Sequence, residues 1–510
     1  MKRFQIIKYY MPIVLGGILM LSVIGCTDKL DEPFEDEAFT SDVDYTIGED
    51  MIKPLLGAYS ALYTRAWEEP LTLGIRGDDV NAAGDQVPMQ EQDAFNYLGS
   101  QWNLNSVWQL HYNDIVTMFT AMEEIEKYRP AAANDALADQ YIAECRVIRA
   151  FLYLNVARAF GGCIVIDQLD NIQSTPLSNK DEVMQYIVDE TTAAIADLPD
   201  VAPNKRTDIP GGITQYTAYA VMALAYQEME DYQGVVDATS QIISSGEFEL
   251  SSDFYHLFKT AGKLADENIL EFQYSDFNQG EGDRTSFLFA PFGIGGWTPV
   301  VTGAGSGWGF YEPTMKYIEF MLDRGETVRL ETSVVFTPDG ITELEEDYGT
   351  IPSWITNANR EGDVFNNNAR LKFASGKHFL PSTELISGRL SFGSNKNFIV
   401  IRYAEMLLMY AEALTRGSTS SISMTAADAV NLVRTRAGLS ALGTVTTDDV
   451  LDEKFAELAM EWGTRFYDMI RTENTSELSH EGKTFTMDKA YYPFPADQVS
   501  ELPQLEDGIN

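Results

Sequence analysis

The sequence predicts a mainly α-helical protein, a scaffold of helical hairpins with a long loop-rich insertion that carries short strands. Two observations indicate the hairpins: apolar residues recur at helical spacing in several segments, and small residues occur where a second helix can approach. A third observation is the change in composition at about residues 248–397, where Gly, Asn, Ser, Thr and aromatic residues dominate. A loop region of this length is uncommon in a compact domain unless it has a function.

Residues 1–25 are predicted to be a lipoprotein signal peptide that is removed. A short basic start precedes an apolar run at 11–24, which is too short for a membrane-spanning helix of about 20 residues. The run ends in a small residue followed by Cys26, which resembles the cleavage box of bacterial lipoproteins. Cys26 is therefore expected to carry the lipid, and an ordinary signal peptide with an incidental cysteine is the alternative.

Residues 26–45 are expected to form a lipidated acidic tether, because this stretch is rich in Asp and Glu and has little to bury. The whole chain has a formal net charge of -41, and the signal peptide removes three cations and no acids, which leaves -44. This charge disfavours nucleic acid and anionic lipid surfaces as partners. Membrane attachment is therefore expected to come from the lipid. The acidic stretch after Cys26 resembles the one that surface-exported bacterial lipoproteins carry, which favours exposure at the cell surface over a periplasm-facing anchor.

The first strong helix is predicted at residues 141–160, where apolar residues recur at spacings of three and four. Gly161 and Gly162 end the pattern, since glycine readily adopts the left-handed conformation of a helix terminus. A short β-branched stretch at 163–166 is expected to be an extended connection. A second amphipathic helix is predicted at 181–197.

A helical hairpin is predicted at residues 215–245, with small residues on its first helix and a turn at Asp231 and Tyr232. The pattern resembles one tetratricopeptide unit, a pair of helices in about 34 residues. Such a unit cannot bury its apolar face alone. We therefore expect one domain at 46–510, in which the hairpin packs with the helices at 141–160, 181–197 and 401–436.

Helices return after the insertion. They are predicted at 401–415 and at 426–437, where Gly438 ends the second one. The last long helix is predicted from about Asp448 to Arg471, with Trp462 and Phe466 on its apolar face.

No motif for hydrolase, metalloprotease or nucleotide chemistry is present, and the four histidines share no metal-like spacing. No cofactor is expected. Calcium is a weaker alternative at Asp276, Asn278, Glu281 and Asp283, whose oxygen ligands alternate, although the spacing completes no EF-hand and a solvated acidic turn is favoured. A disulfide between Cys145 and Cys163 is left open, although a buried free thiol is favoured at Cys145 because it lies on an apolar helix face.

Several separate motifs occur in one order along the chain. They are RAFLY at 149–153, FGG at 160–162, RYAEMLLMYAEA at 402–413, Asn431, RTRAGL at 434–439, EL at 457–458, RFYD at 465–468, Arg471 and PFP at 493–495. Together they resemble the SusD/RagB family of outer-membrane lipoproteins. One departure is Trp462, which stands between the Glu and Gly that are usually adjacent in the family.

The resemblance implies four tetratricopeptide-like hairpins beneath a variable loop face, and a lipid anchor at the cell surface. It implies a partner, a SusC-like TonB-dependent β-barrel transporter, and a role in capturing glycan oligosaccharides for that transporter. It implies no catalysis. Some members bind peptides, so a surface peptide-binding or scaffold lipoprotein is the alternative.

Sugars present apolar C–H faces and hydroxyls, so their binding favours exposed aromatic rings beside polar side chains. Loop aromatics are therefore better candidates than Trp108, Trp462 and Phe466, which have helical spacing; Trp102 stays undecided. The candidate ligand contacts are Trp67, Asp78, Asp79, Asn81, Tyr274, Trp297, Trp308 and Trp354.

Overall fold

The computed structural model describes residues 43–275, 289–386, 394–506 and 508. The predicted signal peptide, Cys26, most of the tether and the acidic turn considered for calcium therefore lie outside the described residues.

The described residues form a mainly helical fold, which confirms the predicted class. The helices, in chain order, are α1 (Ile52–Tyr63), α2 (Glu68–Gly74), α3 (Val87–Asp93), α4 (Trp102–Tyr128), α5 (Asp135–Phe160), α6 (Lys180–Ile195), α7 (Gln215–Glu228), α8 (Tyr232–Ser245), α9 (Phe254–Leu257), α10 (Met315–Asp323), α11 (Val328–Ser333), α12 (Pro338–Asp347), α13 (Tyr403–Thr415), α14 (Ala426–Arg436), α15 (Thr447–Leu458), α16 (Thr464–Arg471) and α17 (Ala496–Glu501).

The long helices pack as a continuous array of hairpins. Helix α4 packs against α1 and α5, α6 lies between α5 and α7, and α8 packs against α7. The chain then leaves for the insertion and returns as α13, which packs on α8 and carries α14 and α15. The prediction that the hairpin at 215–245 packs with the helices at 141–160, 181–197 and 401–436 is confirmed, with α13 making the contact in the last range.

Local sequence explains where these helices begin and end. The Asn134 side chain accepts a 3.0 Å hydrogen bond from the Leu137 backbone N–H at the start of α5, and Gly161 ends that helix in the left-handed conformation, with φ of 78°. In the hairpin of α7 and α8, a Cβ atom on Gly234 would lie 2.5 Å from the Tyr226 ring. Only glycine allows this approach of the two helices.

The described residues contain short antiparallel strand pairs rather than a large sheet, and most of the strands lie in or at the edge of the insertion. The strands are β1 (Val80–Ala82), β2 (Gly162–Cys163), β3 (Ser178–Asn179), β4 (Asn268–Phe272), β5 (Trp297–Thr298), β6 (Tyr311–Pro313), β7 (Val334–Phe336), β8 (Val364–Phe365), β9 (Phe373–Ser375) and β10 (Phe398–Arg402). The pairs are β1 with β6, β2 with β3, β4 with β10, β5 with β8, and β7 with β9. The pair of β4 and β10 joins the first and last described strands of the insertion, directly before α13.

The predicted single helix from 448 to 471 is wrong. The structure has two helices, α15 and α16, and α15 is capped by Thr446 rather than begun at Asp448. Trp462 and Gly463 between them adopt positive φ values of 50° and 75°. A Cβ atom on Gly463 would collide with the carbonyl oxygen of Leu73, so glycine is required at the break.

The charged residues of the family motifs form a buried ionic core. Glu457 is fully buried, and its carboxylate pairs with Arg402 at 2.7 Å, with Arg329 at 3.2 Å and with Arg436. These arginines hold the pKa of Glu457 well below its usual range, although burial opposes them. A buried charge without such a partner would destabilise the fold. The charged residues of these motifs are therefore explained by the fold, and they do not identify a ligand.

The two described cysteines, Cys145 and Cys163, are buried free thiols, so the disulfide considered from the sequence is not formed. Trp108 is 1% exposed and packs against Tyr112, Phe160 and Phe494, as the helical spacing predicts.

Candidate functional site

Three tryptophan rings meet at the surface. Trp67 lies with its ring centroid 5.4 Å from that of Trp308, in an edge-to-face arrangement, and 5.9 Å from that of Trp102. Phe310 is buried and lies 5.9 Å from Trp67 and 5.7 Å from Trp308. We call Trp67, Trp102 and Trp308 the tryptophan platform. Trp102 is 46% exposed, and the other two rings are half-buried.

Rigid elements hold two of the three rings. Trp67 is the N-cap residue of α2, a helix whose residues are all buried, and Trp102 is the first residue of α4. Side chains on such supports lose little conformational entropy when a ligand binds.

The glycine-rich run at 303–309 positions the third ring. The backbone N–H of Trp308 donates to the carbonyl of Ala290 at 2.8 Å, and that of Gly309 donates to Gly293 at 2.9 Å. A Cβ atom on Gly84 would lie 2.6 Å from the Phe310 ring, so glycine lets a neighbouring loop close over the platform base. The run therefore fixes the backbone on both sides of Trp308.

Polar groups border the platform. The Arg370 guanidinium donates to the Trp308 carbonyl and to the Asp85 carboxylate, each at 2.7 Å, and it lies 5.5 Å from the Phe310 ring centroid. The Arg370 and Asp85 side chains are 40% and 60% exposed. Exposed aromatic faces beside a guanidinium and a carboxylate suit a ligand that has both apolar C–H faces and hydroxyl groups.

The structure contradicts three of the predicted contacts. Asp78 is fully buried and pairs with Arg465 at 2.6 Å and Lys316 at 2.7 Å. Asp79 is 2% exposed, accepts the Met460 N–H at 2.6 Å, and has its pKa raised by burial to about 6. Both carboxylates therefore connect the loop between α2 and β1 to residues near the break between α15 and α16.

The third contradicted ligand contact is Tyr274, which is 3% exposed and lies in the core. Asn81 is half-buried, and its side-chain amide donates to Glu481 at 2.9 Å and accepts from Lys483. Asn81 is therefore engaged within the protein and lies outside the platform.

The remaining two candidates lie elsewhere in the insertion. Trp297 is half-buried in β5 and packs edge-on against Phe379 at 5.8 Å. Trp354 is half-buried and lines a separate cleft with Tyr255 and Phe379. Among the described residues, neither ring pairs with a platform tryptophan.

Trp102 is the platform residue that the sequence left undecided, and a signal for it was present. The buried face of α4 carries Leu104, Trp108 and Ile115. Trp102 precedes Leu104 by two positions, which turns it about 200° away at 3.6 residues per turn. An aromatic residue on the side opposite to an apolar stripe indicates surface exposure.

Within the described ranges, no group of His, Cys, Asp and Glu side chains could hold a metal ion. No helix in the described part of the chain is long and apolar enough to cross a bilayer.

The fold and the platform define the class: a helical-hairpin scaffold whose loops present an exposed aromatic surface. Residues 266–506 match the model described as SusD family, and residues 54–226 match one described as starch-binding associating with outer membrane. These matches cover most of the chain, which belongs to the SusD family. The resemblance seen in the motifs is confirmed.

Known proteins are similar to the chain in sequence or in fold. A SusD-like protein of Formosa agariphila is 25% identical over 504 residues, covering 90% of each chain. Surface glycan-binding protein A from Bacteroides thetaiotaomicron, in complex with laminarihexaose, superposes with a TM-score of 0.72 at 21% identity over 90% of this chain and 98% of that chain. A laminarin-binding SusD-like protein gives a TM-score of 0.72 at 20% identity over 88% and 97% of the two chains.

Proposed function

We propose that this protein is a non-catalytic surface lipoprotein that binds glycan oligosaccharides on the tryptophan platform. The observation that carries the proposal is the grouping of Trp67, Trp102 and Trp308 at the surface, with ring centroids 5.4 and 5.9 Å apart. Two rings at an angle of 85° form a bent rather than a flat surface, which suits a curved sugar chain. The relatives named for laminarin and laminarihexaose support a sugar ligand.

We also propose that the bound glycan is delivered to a SusC-like TonB-dependent transporter in the outer membrane. Membership of the SusD family supports this role. The anchor would be the lipid on Cys26, followed by the acidic tether at 26–45 and one domain at 46–510. The charge of the mature chain, -44, leaves the lipid as the means of attachment, since anionic surfaces repel the protein.

Affinity electrophoresis of the mature chain tests glycan binding. Gels that contain laminarin, starch, xylan or mannan should include at least one that retards the protein, and Trp308→Ala should remove the retardation. Normal migration of the wild-type protein in every gel would refute the proposal.

Peptide binding is the second candidate, and the charge of the chain favours basic peptides. The two candidates differ in salt dependence. Binding of a neutral sugar should change little between 50 and 500 mM NaCl. Binding of a basic peptide should weaken strongly, because the distance over which charges attract falls from about 14 Å to about 4 Å across this range.

A further inference from the structure

A second concave site lies in the insertion, apart from the tryptophan platform. Helices α9 and α11, strands β7 and β8, and the loop at 354–360 surround a cleft of about 190 Å³. None of the platform tryptophans lines it, and all of its lining residues lie in the described ranges. The cleft is therefore a distinct site and not an extension of the platform.

The walls of the cleft are aromatic. Tyr255, Trp354, Phe365 and Phe379 all line it. The Arg360 guanidinium stacks over the Tyr255 ring at 4.4 Å and forms two hydrogen bonds with the Glu331 carboxylate, at 3.0 and 2.7 Å. Apolar ring faces thus stand beside an ion pair that is 37% exposed on both sides.

A buried cation lines the same cleft. Lys259 is 1% exposed, and its ammonium donates to the carbonyls of Gly376 at 2.7 Å and Phe379 at 3.1 Å. No carboxylate lies within ion-pair distance of this ammonium in the described part of the chain, and burial lowers its pKa to about 8. An ammonium has three N–H donors. Two donate to these carbonyls, and the ammonium also lies 4.6 Å from the Tyr255 ring centroid. Among the described residues, the third N–H has no oxygen acceptor, and it is the donor that a ligand oxygen would use.

The nearest acids are already engaged. Glu361 accepts the Tyr255 hydroxyl at 2.6 Å, and Glu384 accepts the Thr260 backbone N–H at 2.8 Å. Their negative charges favour the charged form of Lys259, which reduces the free-energy cost of burying it. Neither acid lines the cleft. The Lys259 ammonium is thus held in place beside aromatic side chains. Small-ligand sites share this composition of mostly apolar walls with a few placed polar groups.

We propose that this cleft is a second binding site that takes a single neutral pyranose ring. The sugar would stack on Trp354, which is half-buried, and one of its hydroxyl oxygens would accept from Lys259. The cleft is smaller than the roughly 300–1,000 Å³ of sites for larger ligands, so one sugar unit fits better than an oligosaccharide. This site does not depend on the platform, and it stands if the platform binds no glycan.

Fluorine NMR of protein labelled with 5-fluorotryptophan tests the proposal. The seven tryptophans give seven signals, and Trp354→Phe assigns the one in the cleft. The probes are the methyl glycosides of glucose, galactose, mannose and xylose. At least one should shift the Trp354 signal saturably, both in the wild type and in Trp308→Ala. A Trp354 signal that responds to none of the four would overturn the proposal.

Lys259→Met keeps the length of the side chain and removes the donor. It should weaken the response about tenfold, as expected for a hydrogen bond to a charged group. An unchanged affinity would refute the role of Lys259. If this variant does not fold, Trp354→Leu in the Trp308→Ala background replaces it. Saturation-transfer signals of the bound glycoside should then disappear, and their persistence would contradict the site. If Trp308→Ala loses only the binding at the platform, the Trp354 signal and the saturation-transfer signals of the cleft should stay as they are in the wild type.

Discussion

Replacing Trp102 by alanine should abolish glycan binding with little effect on the fold. Trp102 is 46% exposed and forms a ring pair only with Trp67 among the described residues. Losing one aromatic pair costs about 0.5–1.5 kcal/mol, so the Tm should fall by only a few degrees. A tryptophan that dominates a binding surface contributes 2 kcal/mol or more, which corresponds to about 30-fold in Kd.

The matched control is Trp108→Ala, six residues further along the same helix. Trp108 is buried and packs against three rings, at 4.8, 5.1 and 5.5 Å. Its loss should cost about 3–5 kcal/mol of unfolding free energy, while the protein that stays folded still binds glycan.

Affinity electrophoresis and thermal denaturation, run on the same samples, separate the two effects. Trp102→Ala should lose retardation and keep its Tm to within a few degrees, whereas Trp108→Ala should lower the Tm strongly and keep the retardation. A Trp102→Ala protein that binds like the wild type would refute the assignment of this ring to the platform.

Three further predictions concern the fold. Glu457→Gln leaves three buried arginines short of a carboxylate and should lower the unfolding free energy in urea by about 3–5 kcal/mol; no change would contradict the ionic core. Burial raises the pKa of Glu405 from 4.5 to about 7, so the folded state binds its proton more tightly and stability falls as pH rises from about 4.5 through 7. Glu405→Gln should therefore gain up to about 3 kcal/mol relative to wild type at pH 8 and little at pH 4, measured by Tm; an equal gain at both pH values would exclude titration as its cause. Gly463→Ala should lower the unfolding free energy by more than about 1 kcal/mol, because its Cβ atom meets the Leu73 carbonyl, and an unchanged urea midpoint would contradict that strain.

The helices could be predicted where local patterns decide them. Apolar spacing located the hairpin at 215–245 and, with Gly161, the end of the helix at Phe160, whereas that helix begins at Asp135 and not at residue 141. The break between α15 and α16 could not be predicted in the same way, because the apolar spacing continues through it. It depends on contact between Gly463 and Leu73, which are distant in sequence.

In the candidate site, too, local sequence predicts some features, and others depend on contacts between residues that are distant in sequence. Two of the predicted loop aromatics, Trp67 and Trp308, lie next to each other in the structure, and their contact with a ligand stays a prediction. Asp78 was wrong because its partner, Arg465, lies 387 residues away and the sequence gives no sign that the two pair. Trp102 is the first residue of α4, so its immediate neighbours do not decide its exposure, and only its angle to the buried stripe of that helix does.

A crystal structure of the mature protein with a bound oligosaccharide, chosen from the glycan that retards it most, tests the central claim most directly. The account predicts a sugar ring stacked at van der Waals distance, about 4 Å, on at least one of Trp67, Trp102 and Trp308. An oligosaccharide bound elsewhere, with no contact to these three rings, would contradict it.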